Sequence, residues 1–342
     1  SNNIDSASRN LYELLTAREQ NRQDESAQDR GHRIAQADRL TPIAAQELAA
    51  ILRLPEAAEL TEKKKRWLVV AASSLARIPA ALLKVEPKNG RDAFSILEKF
   101  EVVSLPSASA LAAIRAAPEQ TLSDGVYIFA DPVFEANDPR NQSSSSIRPA
   151  NYSLQRLPLS RDEASEIQDI APYNVTLRMG HDASKQEFEK PEVRSARYLH
   201  FATHGIVSEG PIPRASLVLS LFDESGQSRD GQVHADELYD RRLGADLVVL
   251  SACRSARGRE LKGEGLIGLT TGFMHAGVPR VIASQWAVQD GITRNLMVSF
   301  YDRVWRQGVR PAQALREAQL ELMDDGLPPY YWGSFVFQGE WL

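Results

Sequence analysis

Two residues able to carry out acyl transfer stand at the ends of two apolar runs. Tyr198-Leu199-His200-Phe201-Ala202-Thr203-His204-Gly205 ends in His-Gly, and Leu247-Val248-Val249-Leu250-Ser251-Ala252-Cys253 ends in the chain's single cysteine. A thiolate attacks a carbonyl carbon, and an imidazole can take up the thiol proton and return it to a leaving amine. Cys253 is therefore the candidate nucleophile and His204 the candidate acid and base. The tetrahedral intermediate needs oriented N–H donors. Gly205, which has no side chain to bar close approach, can supply one beside the backbone N–H of Cys253. Arg254, Arg257 and Arg259 follow closely. Any of them pointing inward favours the thiolate; facing solvent, they do not affect it.

Such residues act together only if the fold brings the two run ends to one place. From Trp67 onward, short apolar runs alternate with amphipathic stretches, the texture of an α/β protein whose parallel strands are buried on both faces. Strands are predicted at Trp67–Ala72, Phe100–Leu105 and Val126–Ala130, with a helix from Ser107, a natural N-cap, to Ala116. Another helix is predicted between Ser160 and Ile170, after a turn-rich loop spanning Asn137 to Pro149. A second series places strands at Arg197–Ala202, Ser216–Leu221, Leu247–Ser251, Val281–Ser284 and Tyr331–Phe337. Its helices are predicted at Ala235–Arg241, Gly265–Ala276, Ile292–Trp305 and Pro311–Asp324, the last opening with proline at a favoured first position. In open α/β sheets ligands gather at the carboxyl ends of strands. If the histidine and cysteine strands are parallel neighbours, a helical crossover such as Ala235–Arg241 joins them and brings both ends to one edge.

The spacing between His204 and Cys253 is close to the ~50 residues found in caspases, but Ser-Ala-Cys-Arg-Ser is not the caspase pentapeptide. Instead, the sequence resembles the CHAT-domain proteases, which belong with caspases, separases and gingipains in one caspase-like fold group. His200-Phe201-Ala202-Thr203-His204-Gly205 is similar to that family's histidine segment, Leu250-Ser251-Ala252-Cys253 to its cysteine segment, and Gly263-Glu264-Gly265-Leu266 to the loop that follows. Val281 through Asp290 and Phe300-Tyr301 through Ala318-Gln319 also keep the family order. The resemblance reaches back to Trp67-Leu68-Val69-Val70, with Leu11 to Leu15 as a first helix.

The resemblance implies a caspase-like sandwich of two tandem units: an inactive half over 65–180 and a catalytic half over 181–342. A helical, polar lead-in and insertion occupies 1–64. It also implies a cysteine endopeptidase that cuts a protein partner within a bacterial defence or programmed-death system, gasdermin activation being one example. A regulatory or activating protein is an expected partner. Substrate-binding roles are expected for Gln285, Trp286, Asp290 and Glu264. The family usually has leucine where this chain has Gln285, a change expected to alter the cleft. Asp290 has two readings, a pocket carboxylate selecting Arg or Lys, or the N-cap of a helix beginning at Gly291. Its place directly before a helical stretch favours the cap and leaves the pocket uncharged.

Other readings of the same residues are weaker. Gly263-Glu264-Gly265-Leu266-Ile267-Gly268 matches a dinucleotide-binding glycine pattern. The preceding strand ends well before it, however, and no acidic residue stands where a ribose would need one. His200 and His204 share a strand face without further ligands, so no metal is expected, and no cofactor is called for. No Gly-x-Ser-x-Gly elbow occurs. The serious rival is a catalytically silent caspase-like scaffold or binding module, because fold alone does not establish turnover.

Composition limits the setting. A 43% apolar share supports real cores across 342 residues, and a formal charge of -5 offers no basic footprint for nucleic acid. No apolar run nears the ~20 residues of a membrane span. Ser1 to Asp5 lack a signal layout, and one cysteine rules out an intramolecular disulfide, so a reducing cytoplasm is the expected location with no direct membrane contact. Thr16 to Arg39 has almost no large apolar residues and is expected to be solvated and peripheral.

Overall fold

The computed structural model describes residues 2–20, 22, 24–61, 63–87, 92–117, 125–142, 154–207, 214–251, 264–286 and 288–342, with the backbone alone at 207 and 264–267. Helices α1 (Asn2–Leu15), α2 (Ala27–Ile51) and α3 (Leu54–Leu60) lead into strand β1 (Arg66–Val69). A short hairpin, β2 (Lys84–Val85) and β3 (Phe94–Ser95), is followed by α4 (Ile96–Lys99), β4 (Glu101–Ser104) and α5 (Ala108–Ala116). Next come β5 (Gly125–Pro132), α6 (Leu159–Ile170), β6 (Asn174–Gly180), α7 (Lys185–Phe188) and α8 (Pro191–Arg194). Strand β7 (Tyr198–Ala202) precedes three short strands, β8 (His204–Val207), β9 (Ala215–Val218) and β10 (Gln232–His234). The chain ends with β11 (Leu247–Leu250), α9 (Glu264–His275), β12 (Arg280–Ser284), α10 (Asp290–Trp305), α11 (Pro311–Asp324), α12 (Pro329–Trp332) and β13 (Phe335–Gly339).

Eight strands form one mostly parallel sheet in the order β1-β4-β13-β12-β11-β7-β5-β6. Every neighbouring pair is parallel except β12 with β13, so β1, β4 and β13 run opposite to the other five strands. The central strands are apolar at nearly every position because both faces are covered. In β11, Leu247 and Val249 enter one core, and Val248 and Leu250 enter the other. The first core also takes Ile167 of α6, Phe300 of α10 and Leu315 of α11. The second takes Phe188 of α7, Phe273 of α9 and Leu217 of the small sheet. This is a three-layer α/β arrangement, and the alternation along each strand explains the unbroken apolar runs in the sequence.

The two tandem units expected from the sequence are not seen as separate sheets. Strands from 65–180 are split, with β1 and β4 at one end and β5 and β6 at the other, and the later strands lie between them. Pairing of β5 with β7 carries the sheet across the expected break near 180.

Local differences have local causes. Ala235–Arg241 forms only a single 3-10 turn at Asp236–Leu238, and the connection from β7 to β11 is built mainly from the antiparallel sheet β10-β9-β8. The run Ser216–Leu221 is therefore the middle strand of that small sheet. Tyr331–Phe337 divides, since α12 takes its first residues and β13 starts only at Phe335. Strand β6 has no counterpart in the expectations. Ser107 does cap α5, accepting a hydrogen bond from the N–H of Ala110 at 3.0 Å.

The lead-in has two characters. Ala27 to His32 are exposed, in line with the polar composition. Leu11, Leu15 and Leu48, in contrast, are buried in the first core. Arg18 joins these halves: it pairs with Asp38 at 2.6 and 2.7 Å and lies over the rings of Tyr330 and Tyr331. Truncating Leu48 to alanine should therefore lower unfolding free energy by about 2–5 kcal/mol. Urea denaturation measures this, and a change near zero would show that the helical pair is not part of the core.

Candidate active site

Strand register decides which residues share the carboxyl edge of the sheet. β7 and β11 are parallel neighbours with Phe201 opposite Leu250, and the N–H of Ser251 continues the ladder to the carbonyl of Phe201 at 2.9 Å. On the outer sides Ala130 lies opposite Ala202, and Ala283 lies opposite Leu250. The same edge therefore receives Asp131, His204, Ser251 and Gln285. Cys253 follows Ser251 by two positions but lies outside the described residues, as do Arg254, Arg257, Arg259 and Gly263.

His204 opens β8 and is 1% exposed. Its Nε2 is 2.7 Å from the carbonyl oxygen of Gln155, and the ring of Phe134 lies 4.8 Å away between centroids. A carbonyl can only accept, so Nε2 carries the hydrogen, and in the neutral ring the basic lone pair is on Nδ1. That is the tautomer a general base needs if Nδ1 is the reacting nitrogen.

Gly205 is held so that its N–H is turned outward. The N–H of Leu219 donates to Gly231 and that of Ala235 to Ala215, each at 2.8 Å, so alternate residues of the middle strand bond toward β10. Val218 and Ser216, on the other phase, bond toward His204 and Ile206 of β8. Gly205 lies between those pairs, and its N–H points away from β9. This orientation suits an oxyanion donor.

Beneath the edge lies a buried polar chain that the sequence did not reveal. Glu163 of α6 is 3% exposed, and its Oε1 accepts from His200 Nε2 at 3.0 Å and from the Ser251 hydroxyl at 2.8 Å. His200 Nδ1 lies 3.2 Å from the hydroxyl of Tyr301. Burial, and then the charge of Glu163, pushes the Tyr301 phenol well above its usual range, so it stays protonated and donates to His200. The set anchors Ser251, and with it the end of the cysteine strand, to two helices. Removing Glu163 with alanine orphans the His200 donor and should cost about 1–3 kcal/mol of stability. Thermal or chemical unfolding tests this, and an unchanged midpoint would show that the network does not bear on the fold.

The expected cleft residues separate. Trp286 is 2% exposed and belongs to the first core, with its indole N–H donating to the carbonyl of Tyr330 at 2.8 Å. Its side chain therefore packs inward. Gln285 is buried at the edge, where its N–H donates to Ser334 at 2.8 Å and its Oε1 meets no donor among the described residues. Asp290 is the first residue of α10, and Gln289 holds the cap position. The carboxylate thus sits in the first turn, one residue past the expected cap, where it still complements the helix dipole. Glu264 begins α9. The contribution of Gln155 escaped the sequence reading because it acts through its backbone, which leaves no residue-type signature.

Known proteins share parts of this chain. Tetratricopeptide repeat protein 28 of Mus musculus is 31% identical over 107 residues, which cover 31% of this chain and 4% of that protein. A crystal structure of the Arg-specific cysteine proteinase gingipain R aligns over 70% of this chain and 54% of its own, with 8% identity and a TM-score of 0.41. The separase-securin complex of Saccharomyces cerevisiae aligns over 99% of this chain and 22% of its own, with 11% identity and a TM-score of 0.48. The chain thus spans a small part of the mouse protein and of separase, and about half of gingipain. A family model of the CHAT domain matches residues 36–340, beginning within the polar lead-in. By that match, across most of its length, this chain belongs to the CHAT domain family.

Proposed function

We propose that the chain is a cysteine endopeptidase that cuts a protein partner, with Cys253 as nucleophile and His204 as acid and base. The observation that carries this reading is the parallel pairing of β7 and β11, in which Phe201 faces Leu250. His204 and Cys253 each follow those paired residues by three positions in the sequence. In the proposed cycle the thiol proton moves to Nδ1 of His204, and the thiolate adds to the scissile carbonyl carbon. The resulting oxyanion is met by the outward N–H of Gly205 together with that of Cys253. Collapse expels the amine, which takes the proton from His204, and water then releases the acyl group from sulfur. No metal or cofactor takes part in this cycle.

The pocket for the residue before the scissile bond is proposed at Gln285, with Glu264 and Asp290 at the starts of the flanking helices. Gln285 follows β12, the neighbour of the cysteine strand. Because Asp290 lies in a helix first turn, we assign it to holding α10 and not to selecting a basic residue. A place in bacterial defence, with a gasdermin-like substrate, follows from the resemblance and is best tested by mapping cleavage sites across a proteome.

Cys253→Ala should abolish peptide cleavage while leaving the melting temperature unchanged. His204→Ala should lower kcat by at least on the order of 10⁴-fold, with the double variant no slower than the worse single one. Full activity in Cys253→Ala would sink the nucleophile assignment, whereas no cleavage by the wild type would leave a silent binding module as the better account. Specificity is read separately with a peptide library. Wild type and Asp290→Asn should share one preference without strict selection of Arg or Lys, and Gln285→Leu should shift it. Cleavage only after Arg or Lys, lost in Asp290→Asn, would instead make Asp290 the selecting carboxylate.

A further inference from the structure

The group that holds His204 is itself held by a charge cluster outside the proposed dyad. Asp131, the second-to-last residue of β5, has no exposure at all, yet its carboxylate meets three arginines. Arg156 makes a two-pronged contact, Nε at 2.9 Å and Nη2 at 2.8 Å from the two carboxylate oxygens. Arg140 approaches at 3.0 Å and Arg161 at 3.3 Å. The hydrogen bond to Asp131 holds the Arg156 guanidinium more firmly protonated than usual, outweighing partial burial.

The backbone of Asp131 is also unusual. Its φ is 46°, a left-handed conformation that a non-glycine residue adopts at a cost, at the point where β5 slips register against β6. The surroundings over-determine this geometry. Its N–H donates to the Ser160 hydroxyl at 2.8 Å, and its carbonyl accepts from Arg140 Nη1 at 2.7 Å. Arg140 is in turn bound to Asp138 through Nε at 2.8 Å and Nη2 at 2.7 Å. Burial raises the Asp138 carboxyl, but the contacts from Arg140 outweigh it and hold the group below its usual range.

Arg156 is the residue directly after Gln155, whose carbonyl receives the His204 Nε2–H. A two-pronged guanidinium contact fixes both the position and the orientation of the side chain that makes it. The next backbone unit cannot then swing freely. We propose that Asp131 is a positioning residue for His204, acting through Arg156 to aim the Gln155 carbonyl and so to hold the imidazole in its Nε2–H tautomer. Arg161 touches the same carboxylate from α6, a different element, and does not carry the carbonyl. Positioning is therefore specific to Arg156, whereas a general effect of charge near Asp131 would be shared by both arginines.

This inference rests on the peptidase reading for its catalytic consequence, but the tautomer can be measured without turnover. Nitrogen-15 NMR of the histidine rings, assigned with His204→Ala, reports which nitrogen of His204 carries the hydrogen. Wild type should show the Nε2–H form, Arg156→Ala a mixture of tautomers, and Arg161→Ala the wild-type signature. In peptide cleavage, Arg156→Ala should lower kcat by about 100-fold, the scale of a small misplacement of a catalytic group. KM and the melting temperature should change little, and Arg161→Ala should keep kcat near wild type. Asp131→Asn should reproduce Arg156→Ala; if it does not fold, the partly exposed Arg156 still carries the test. Retention of a single Nε2–H form in Arg156→Ala, or equal effects of the two arginine variants, would overturn the proposal. If wild type cleaves nothing, the peptidase reading fails, and the tautomer comparison alone decides the positioning role.

Discussion

A parallel backbone ladder between β7 and β11 determines what can happen at the carboxyl edge of this sheet. Leu250 lies opposite Phe201, and each strand sends alternate side chains into two different cores. A slip of one residue would exchange the faces of Leu247 and Val249 with those of Val248 and Leu250, and move every polar residue that follows. Because both faces are filled, such a slip would disturb two cores at once. Hydrophobic burial on either side thus sets the register, and the register sets the relative heights of the histidine and cysteine segments.

Under that edge, polar groups are buried only as members of satisfied sets. Glu163 lies among His200 and Ser251, with Tyr301 closing the chain, and Asp131 lies among Arg140, Arg156 and Arg161. Buried charges of this kind contribute little net stability, because desolvation offsets much of the attraction. Their value here is geometric. Each set fixes the end of a different strand: Ser251 after β11 in one case, and the last residues of β5 with the loop holding His204 in the other. Two helices, α6 and α10, enter both the hydrophobic core and the Glu163 set, so core packing and edge geometry are coupled.

The helical lead-in is coupled to the same region from the far side. Arg18 ties the first two helices to Tyr330 and Tyr331, and the carbonyl of Tyr330 receives the indole N–H of Trp286. The N–H of Gln285 is bound by Ser334, just past the same short helix. A polar stretch that reads as peripheral is thus continuous, through three contacts, with the segment following β12. This agrees with the family match, which begins inside α2.

Local information was enough for some of this. The apolar runs at 198–202 and 247–250, the capped helix at Ala108–Ala116 and the proline-led helix at Pro311–Asp324 are legible because pattern and capping are encoded by neighbouring residues. His204 and Cys253 were legible as reactive types at strand ends, and the motifs around them carried the family. Strand order was not, because β4, β13 and β12 meet through pairings more than 150 residues apart in the chain in the case of β4, and such contacts have no local signature. For that reason the strands of the expected first half, 65–180, lie at the two ends of one sheet with the later strands between them. Trp286 as core, Glu163 as the partner of His200, and the Gln155 carbonyl as the partner of His204 were likewise decided only by tertiary structure. A side chain's type states what it can bond to, but which groups are brought within reach depends on packing, and a backbone carbonyl looks the same at every position in a sequence.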